Sequence, residues 1–193
     1  GVVVIHAGTI DLDQDSVNMI KAYKTGQADS REFGRLRQEI VTQRKKNKAP
    51  FWEAVVKSLN EVVSYGRQKK VKIGLETRYY PTEIPDFEEI GEILKLFGPQ
   101  DMGYWHDVGH AEVNVRLGIV PSHRHYFDCY QKRLIGMHIH GVAGIKDHQA
   151  PFAGDFDLTG IMPYLQDGVI KVIESHMVAS KEEIKEAVRR LRG

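Results

Sequence analysis

The chain holds a single cysteine, Cys129, in 193 residues. An internal disulfide framework is therefore excluded, and a reducing compartment is the expected setting. An excess of charge of one sign is missing too: 27 Lys and Arg against 26 Asp and Glu leave a net charge of +1. No global field draws such a chain to nucleic acid. Long hydrophobic runs are absent: nothing approaches the ~20 residues that span a bilayer. No charged N-terminal segment leads into a hydrophobic stretch and a cleavage site. No membrane is implied, and the cytoplasm is the expected location. What is present is ordinary, 41% apolar and 27% charged residues, over a length that suits a single domain, residues 1–193, with a substantial core.

Five strand-like runs end in residues able to bind a divalent metal. Val2-Val3-Val4-Ile5 leads into His6, Val71 to Leu75 into Glu76, Met102 to His106 into Asp107, Leu134 to Met137 into His138, and Val169 to Ile173 into Glu174. With helical sequence between them, the runs predict an α/β fold of the TIM-barrel type, whose C-terminal face gathers these side chains around one point. Alternation alone is equally compatible with a smaller open parallel sheet. Convergence of the ligands favours the barrel, because the strands of an open sheet would spread them apart. A closed barrel needs eight βα units in ~250 residues, so about three units are lacking.

Between the runs, helices are expected near Asp15 to Tyr23 and from Ser30 to about Lys46, followed by a separate helix opened by Pro50. That helix carries Phe51, Trp52, Val55, Val56, Leu59, Val62 and Val63 and closes at Gly66 and the basic run Arg67 to Lys70. Pro85-Asp86 opens the next, Ile90, Ile93, Leu94 and Leu96 line it, and Gly98 stops it. Cys129 falls in a helix around His125 to Lys132 and reads as a half-buried free thiol. Ser180 to Glu183 has the capping-box pattern. The Gly141 to Phe156 connection is long for a βα loop, and its punctuation together with Asp147 and His148 suggests that it folds over the mouth.

Side chains alternate along a strand, so His138 and His140 share a face, as do Trp105 and Asp107, and Gly74 and Glu76. Gly74 is expected to leave room beside the carboxylate. Mixed carboxylate and imidazole donors suit Mn, Zn, Co or Mg without choosing among them.

The motifs Val-Val-Ile-His-Ala-Gly at 3–8, Ile-Gly-Leu-Glu-Thr at 73–77, His-Asp-Val-Gly-His-Ala at 106–111, Gly-Met-His-Ile-His-Gly at 136–141, Asp-His-Gln-Ala-Pro-Phe-Ala-Gly-Asp-Phe-Asp at 147–157 and Val-Ile-Glu-Ser at 172–175 together resemble the xylose isomerase-like TIM barrels. That group includes sugar isomerases, 3-epimerases, sugar-phosphate isomerase/epimerase homologues and the endonuclease IV group of abasic-site nucleases. The resemblance implies that Glu76, Asp107, His138 and Glu174 ligate one divalent metal. It places His110 beside the metal as a substrate contact, or as a further ligand in the nucleases. His6 matches a second-metal ligand of the nucleases that is elsewhere a polar pocket residue. The family's first three βα units would lie upstream, either trimmed from this chain or lost from a short homologue, and trimming is the expectation.

The chemistry this implies is proton transfer next to a carbonyl in a small sugar, sugar phosphate or sugar-like acid. Glu76 and Glu174 are the expected acid/base pair. His6, Arg78, His110, His140 and His148 are the expected substrate contacts, with Arg78 suited to a phosphate or carboxylate if the strand continues. A small sugar-like molecule is the expected partner, nucleic acid is disfavoured, and a homo-oligomer is left open. Two other readings stand beside this one: a metal-dependent nuclease acting on abasic DNA, and a non-catalytic barrel remnant. The nucleases use an Asp-x-His pair where Asp147 and His148 are adjacent, and Arg44-Lys45-Lys46 with Lys48 reads as the solvated end of a helix.

Overall fold

The apolar runs that end in candidate ligands are the strands of one parallel sheet. A computed structural model describes residues 1–12, 15–176 and 179–192. In chain order the elements are β1 (Val2–Ile5), β2 (Gly8–Thr9), α1 (Asp15–Lys24), α2 (Arg31–Lys69), β3 (Lys72–Glu76), β4 (Glu83–Ile84), α3 (Phe87–Leu96), β5 (Met102–Asp107), α4 (Val108–Arg116), α5 (His123–Tyr130), β6 (Leu134–Ile139), β7 (Gly141–Ala143), β8 (Lys146–Gln149), β9 (Ile170–Ile173) and α6 (Lys181–Arg192). Five strands pair in parallel in the order β1-β3-β5-β6-β9, while β2-β4 and β7-β8 form small antiparallel pairs.

Three strand spacings separate β3 from β9, about 14 Å in a flat sheet. Yet donor atoms of Glu76, Asp107, His138 and Glu174, carried at the ends of β3, β5, β6 and β9, all lie within 4.8 Å of one another. The sheet is curled, as the wall of a TIM barrel, and its carboxyl ends converge.

Parity along each strand divides the side chains between the helical layer and the barrel interior. Ile73, Leu75, Met102 and Tyr104 pack outward with Val55, Leu59 and Val63 of α2 and Ile90, Ile93 and Leu94 of α3. Trp105 points inward and fills the space expected beside Gly74. A Cβ on Gly74 would stand 3.2 Å from its ring, and one on Gly136 would stand 2.2 Å from it. The two glycines are the cradle of this indole.

One long helix replaces the two predicted between residues 30 and 70. Ser30 caps α2, its hydroxyl accepting from the Phe33 N–H at 3.0 Å, and Pro50 lies inside the helix. Proline costs a helix interior roughly 3 kcal/mol. The buried stripe Phe33, Leu36, Ile40, Arg44, Val55, Leu59, Val63 nevertheless stays on one face, because Arg44 and Val55 are about three turns apart. Burial of the two halves of this stripe, bridged by half-buried Phe51 and Trp52, outweighs the local penalty. Gly66 is inside this helix, and Lys70, at φ 54°, is the left-handed cap. Two further corrections concern side chains. Arg44 is buried, its guanidinium donating to Asp86 at 2.8 Å, to the Pro81 carbonyl at 2.7 Å and to Glu89. Cys129 is exposed, because the buried face of α5 is Tyr126, Phe127 and Tyr130. Among the described residues, no helix is long and apolar enough to cross a membrane.

Candidate metal centre

Asp107 ends β5 and caps α4, and the two tasks divide its oxygens. Oδ1 accepts from the His110 backbone N–H at 2.7 Å and faces His140 Nε2 at 3.0 Å. Oδ2 is fully buried without a hydrogen bond; its neighbour is His138 Nδ1 at 3.4 Å. The same Nδ1 lies 2.7 Å from Glu76 Oε1 and 3.0 Å from Glu174 Oε2. One N–H cannot serve three carboxylates, so the geometry is that of a cation site in which a proton on His138 does part of a cation's work. Burial pulls the His138 pKa down, but the carboxylates of Asp107 and Glu76 outweigh it and carry the group up to about 9. An orphaned buried carboxylate oxygen, two further carboxylates and an imidazole nitrogen fit a divalent ion. These four side chains could hold one.

Around this point the structure places the other predicted residues in two tiers. His6 is exposed and its Nε2 lies 2.8 Å from Glu76 Oε2. Arg78 is buried: Nη1 donates to that same oxygen at 2.8 Å, while Nη2 and Nε reach Glu83 Oε1 at 2.5 and 3.2 Å. Its fork is spent on carboxylates of the protein, which orients Glu76. His140 is fully buried. It accepts the His148 N–H on Nδ1 at 2.8 Å, so its proton sits on Nε2 and is donated to Asp107. Both nitrogens are used inside the protein, a positioning geometry that sets Asp107 with Oδ2 turned to the centre. Gly109 makes room for this ring, since a Cβ there would fall 2.0 Å from His140 Cε1.

The Gly141 to Phe156 segment does fold over the mouth. It forms the β7-β8 ribbon and brings Asp147 and His148 into the cavity that also contains His6, Glu76, His110 and Glu174. His148, at φ 55°, occupies the left-handed region disfavoured for a side-chain-bearing residue. Its ring stacks between His140 and His176, with centroids 4.3 and 4.1 Å away. Asp147 first, 3.0 Å from Nδ1, and then Glu174 raise its pKa to about 10. His148 in turn holds Glu174 below its ordinary carboxylate range. His110 lies with Nδ1 2.9 Å from the Thr77 carbonyl, to which it donates. Its Nε2 faces Asp147 Oδ2 at 3.6 Å, too long for a direct hydrogen bond. The gap leaves a place for a small polar group such as a substrate hydroxyl.

Behind the site runs a buried polar chain that no sequence motif marks. Tyr104 and His106 alternate with Trp105 and Asp107 and therefore face the helices. Thr77 Oγ1 and Tyr104 Oη are 2.8 Å apart, Tyr104 Oη is 2.6 Å from His106 Nδ1, His106 Nε2 is 3.1 Å from His123 Nδ1, and His123 Nε2 is 3.1 Å from Glu112. Glu112 accepts from Arg116, which also bonds Gly144 O and pairs with Asp155 of the covering loop. Ionised Glu112 accepts only, so His123 donates to it through Nε2. Burial keeps His106 neutral, well below the usual histidine range. The chain ties the loop to Thr77, whose carbonyl sets the His110 tautomer. Its signal was the strand parity of His106, but its helical partners are remote in sequence.

Solved structures share this fold. A candidate xylose isomerase from Rhodospirillum rubrum superposes with a TM-score of 0.62 at 15% identity, over 100% of this chain and 60% of its own. A D-tagatose 3-epimerase-like protein gives a TM-score of 0.56 at 19% identity, over 99% of this chain and 61% of its own. The chain thus spans about three-fifths of the length of either structure. Among curated proteins none matches it. Residues 17–193 match the sequence model of the family described as Xylose isomerase-like TIM barrel, and with the curled parallel sheet and the ligand-bearing strand ends this places the chain in the xylose isomerase-like TIM barrel family.

Proposed function

We propose that the complete protein is a divalent-metal-dependent isomerase or epimerase of a small sugar, sugar phosphate or sugar-like acid. The observation that carries this reading is the approach of Glu76 and Glu174, from strands on opposite sides of the centre, to the same His138 nitrogen at 2.7 and 3.0 Å. Glu76, Asp107, His138 and Glu174 would hold the ion, which when bound draws electron density from a substrate carbonyl and steadies charge developing on its oxygen. One glutamate takes the proton from the carbon next to that carbonyl. The C–H electron pair becomes the C=C bond of an enediol, and the carbonyl oxygen gains a proton or negative charge. The other glutamate returns a proton, to the opposite face for epimerisation or to the neighbouring carbon for isomerisation. Glu174, kept ionised by His148, is suited to remove the proton. Glu76 can be recharged from solvent through exposed His6. His110 and His148 are the proposed hydroxyl contacts, and Arg78 and His140 orient Glu76 and Asp107.

The test is solvent deuterium incorporation next to the carbonyl, by the full-length protein, over a panel of ketoses with Mn, Co, Zn or Mg. Exchange that disappears in Glu174→Gln is expected, since an amide is a poor base. A second donor group, His110, Asp147 and His148, lies beside the first and suits a multi-metal hydrolase. No exchange with any ketose, together with metal-dependent cleavage of an abasic duplex, would replace the isomerase reading with that one.

A further inference from the structure

A second cavity, of about 520 Å³, lies beside the metal centre on the other side of Arg78 and Tyr80, which line both spaces. Its volume falls in the range of small-molecule sites, ~300–1,000 Å³. One wall is a single face of α2, Arg37, Ile40, Val41, Arg44 and Lys45, and the opposite wall is the connection from β3 to α3. Buried Met19, Ile40, Ile90 and Tyr126 make its interior apolar.

The cations on this wall are not equivalent. Arg44 is consumed by Asp86 and Glu89, Lys48 by Glu89 and Glu92, and Arg78 by Glu76 and Glu83. Arg37 makes one long bond, Nη1 to the Gly118 carbonyl at 3.4 Å. Among the described residues neither Arg37 nor Lys45 pairs with a carboxylate, and exposed Glu88 at the rim offsets only one of them. Eight residues apart on one helix, they stand about 12 Å from each other. An apolar chamber with a guanidinium that has donors to spare, lying in the field of a second unneutralised cation, suits an elongated molecule with an apolar body and an anionic head. A guanidinium with donors to spare recognises a carboxylate in bidentate fashion.

We propose that this chamber is a binding site for a medium-chain amphipathic carboxylate, its head on Arg37 in the field of Lys45 and its chain over the apolar interior. The site is independent of the reaction proposed above. It shares the Arg78 wall with the metal centre, so the ligand would press on the guanidinium that orients Glu76.

The probes are decanoate and decanol, titrated calorimetrically into the full chain. Decanoate is expected to bind once per chain, and decanol at least about tenfold more weakly. Arg37→Glu, with fold checked by circular dichroism, is expected to weaken decanoate by a similar factor, and Lys45→Glu by a smaller one. Val41 is exposed at the rim, so Val41→Trp should block entry without touching the core and provides a variant whose folding is not at risk. Equal binding of acid and alcohol, binding unchanged by both charge reversals and by Val41→Trp, or no saturable binding of decanoate would each overturn the proposal.

Discussion

At neutral pH a metal entering the centre must displace a proton from His138. Raising the pH from 7 to 9 during metal binding removes that competition. With Nδ1 held up to about 9, all but about 1% of the group is protonated at pH 7. A ligating imidazole must be neutral. Apparent affinity should therefore rise about tenfold per pH unit and bend over as pH passes 9, a gain of roughly 50-fold between pH 7 and 9, or about 2.3 kcal/mol. The assay is isothermal titration of Mn or Mg into the full chain at pH 7, in two buffers of different ionisation enthalpy. Wild type should release about one more proton per metal than His138→Gln. Equal release by both proteins, or a flat affinity from pH 7 to 9, would refute a proton standing in for the cation among Glu76, Asp107 and Glu174.

Without metal, the raised His138 pKa stabilises the fold fully below the unfolded value near 6.5 and loses that contribution as pH rises through about 9; urea midpoints should fall over this window and fall less in His138→Gln. Gly109→Ala, whose Cβ would meet buried His140 at 2.0 Å, should cost about 1–3 kcal/mol in chemical denaturation and weaken metal binding. Gly34→Ala on α2, where a Cβ meets nothing within 4 Å, should instead gain up to about 1 kcal/mol. Arg44→Met leaves Glu89 buried with its main partner gone and should cost about 3–5 kcal/mol, while the double variant Arg44→Met, Glu89→Leu should recover most of that loss.

Much of the site was legible because it obeys local periodicity. A parallel strand buried on both faces is an apolar run, and the residue ending it falls at the mouth, so His6, Glu76, Asp107, His138 and Glu174 could be picked out in order. The period of two also assigned Trp105 and Asp107 to one face. The same pattern misled where a local rule met a tertiary one. Pro50 reads as a helix start, yet burial of a stripe running from Phe33 to Val63 carries α2 straight through it. Arg44 reads as solvated in a basic run, yet Asp86, Glu89 and the Pro81 carbonyl, all about forty residues on, draw it inside.

His138 and His140 are indistinguishable by parity. The β7-β8 ribbon separates them, burying His140 under His148 and leaving the His138 nitrogen among three carboxylates. Which residues end the strands and which face each occupies can be read along the chain, because backbone pleat and apolar spacing are local. Which of them meet, which oxygen of Asp107 is left free and which nitrogen of His140 carries a proton depend on sheet curvature and on hydrogen-bond partners tens of residues away, and so emerge only in the folded molecule.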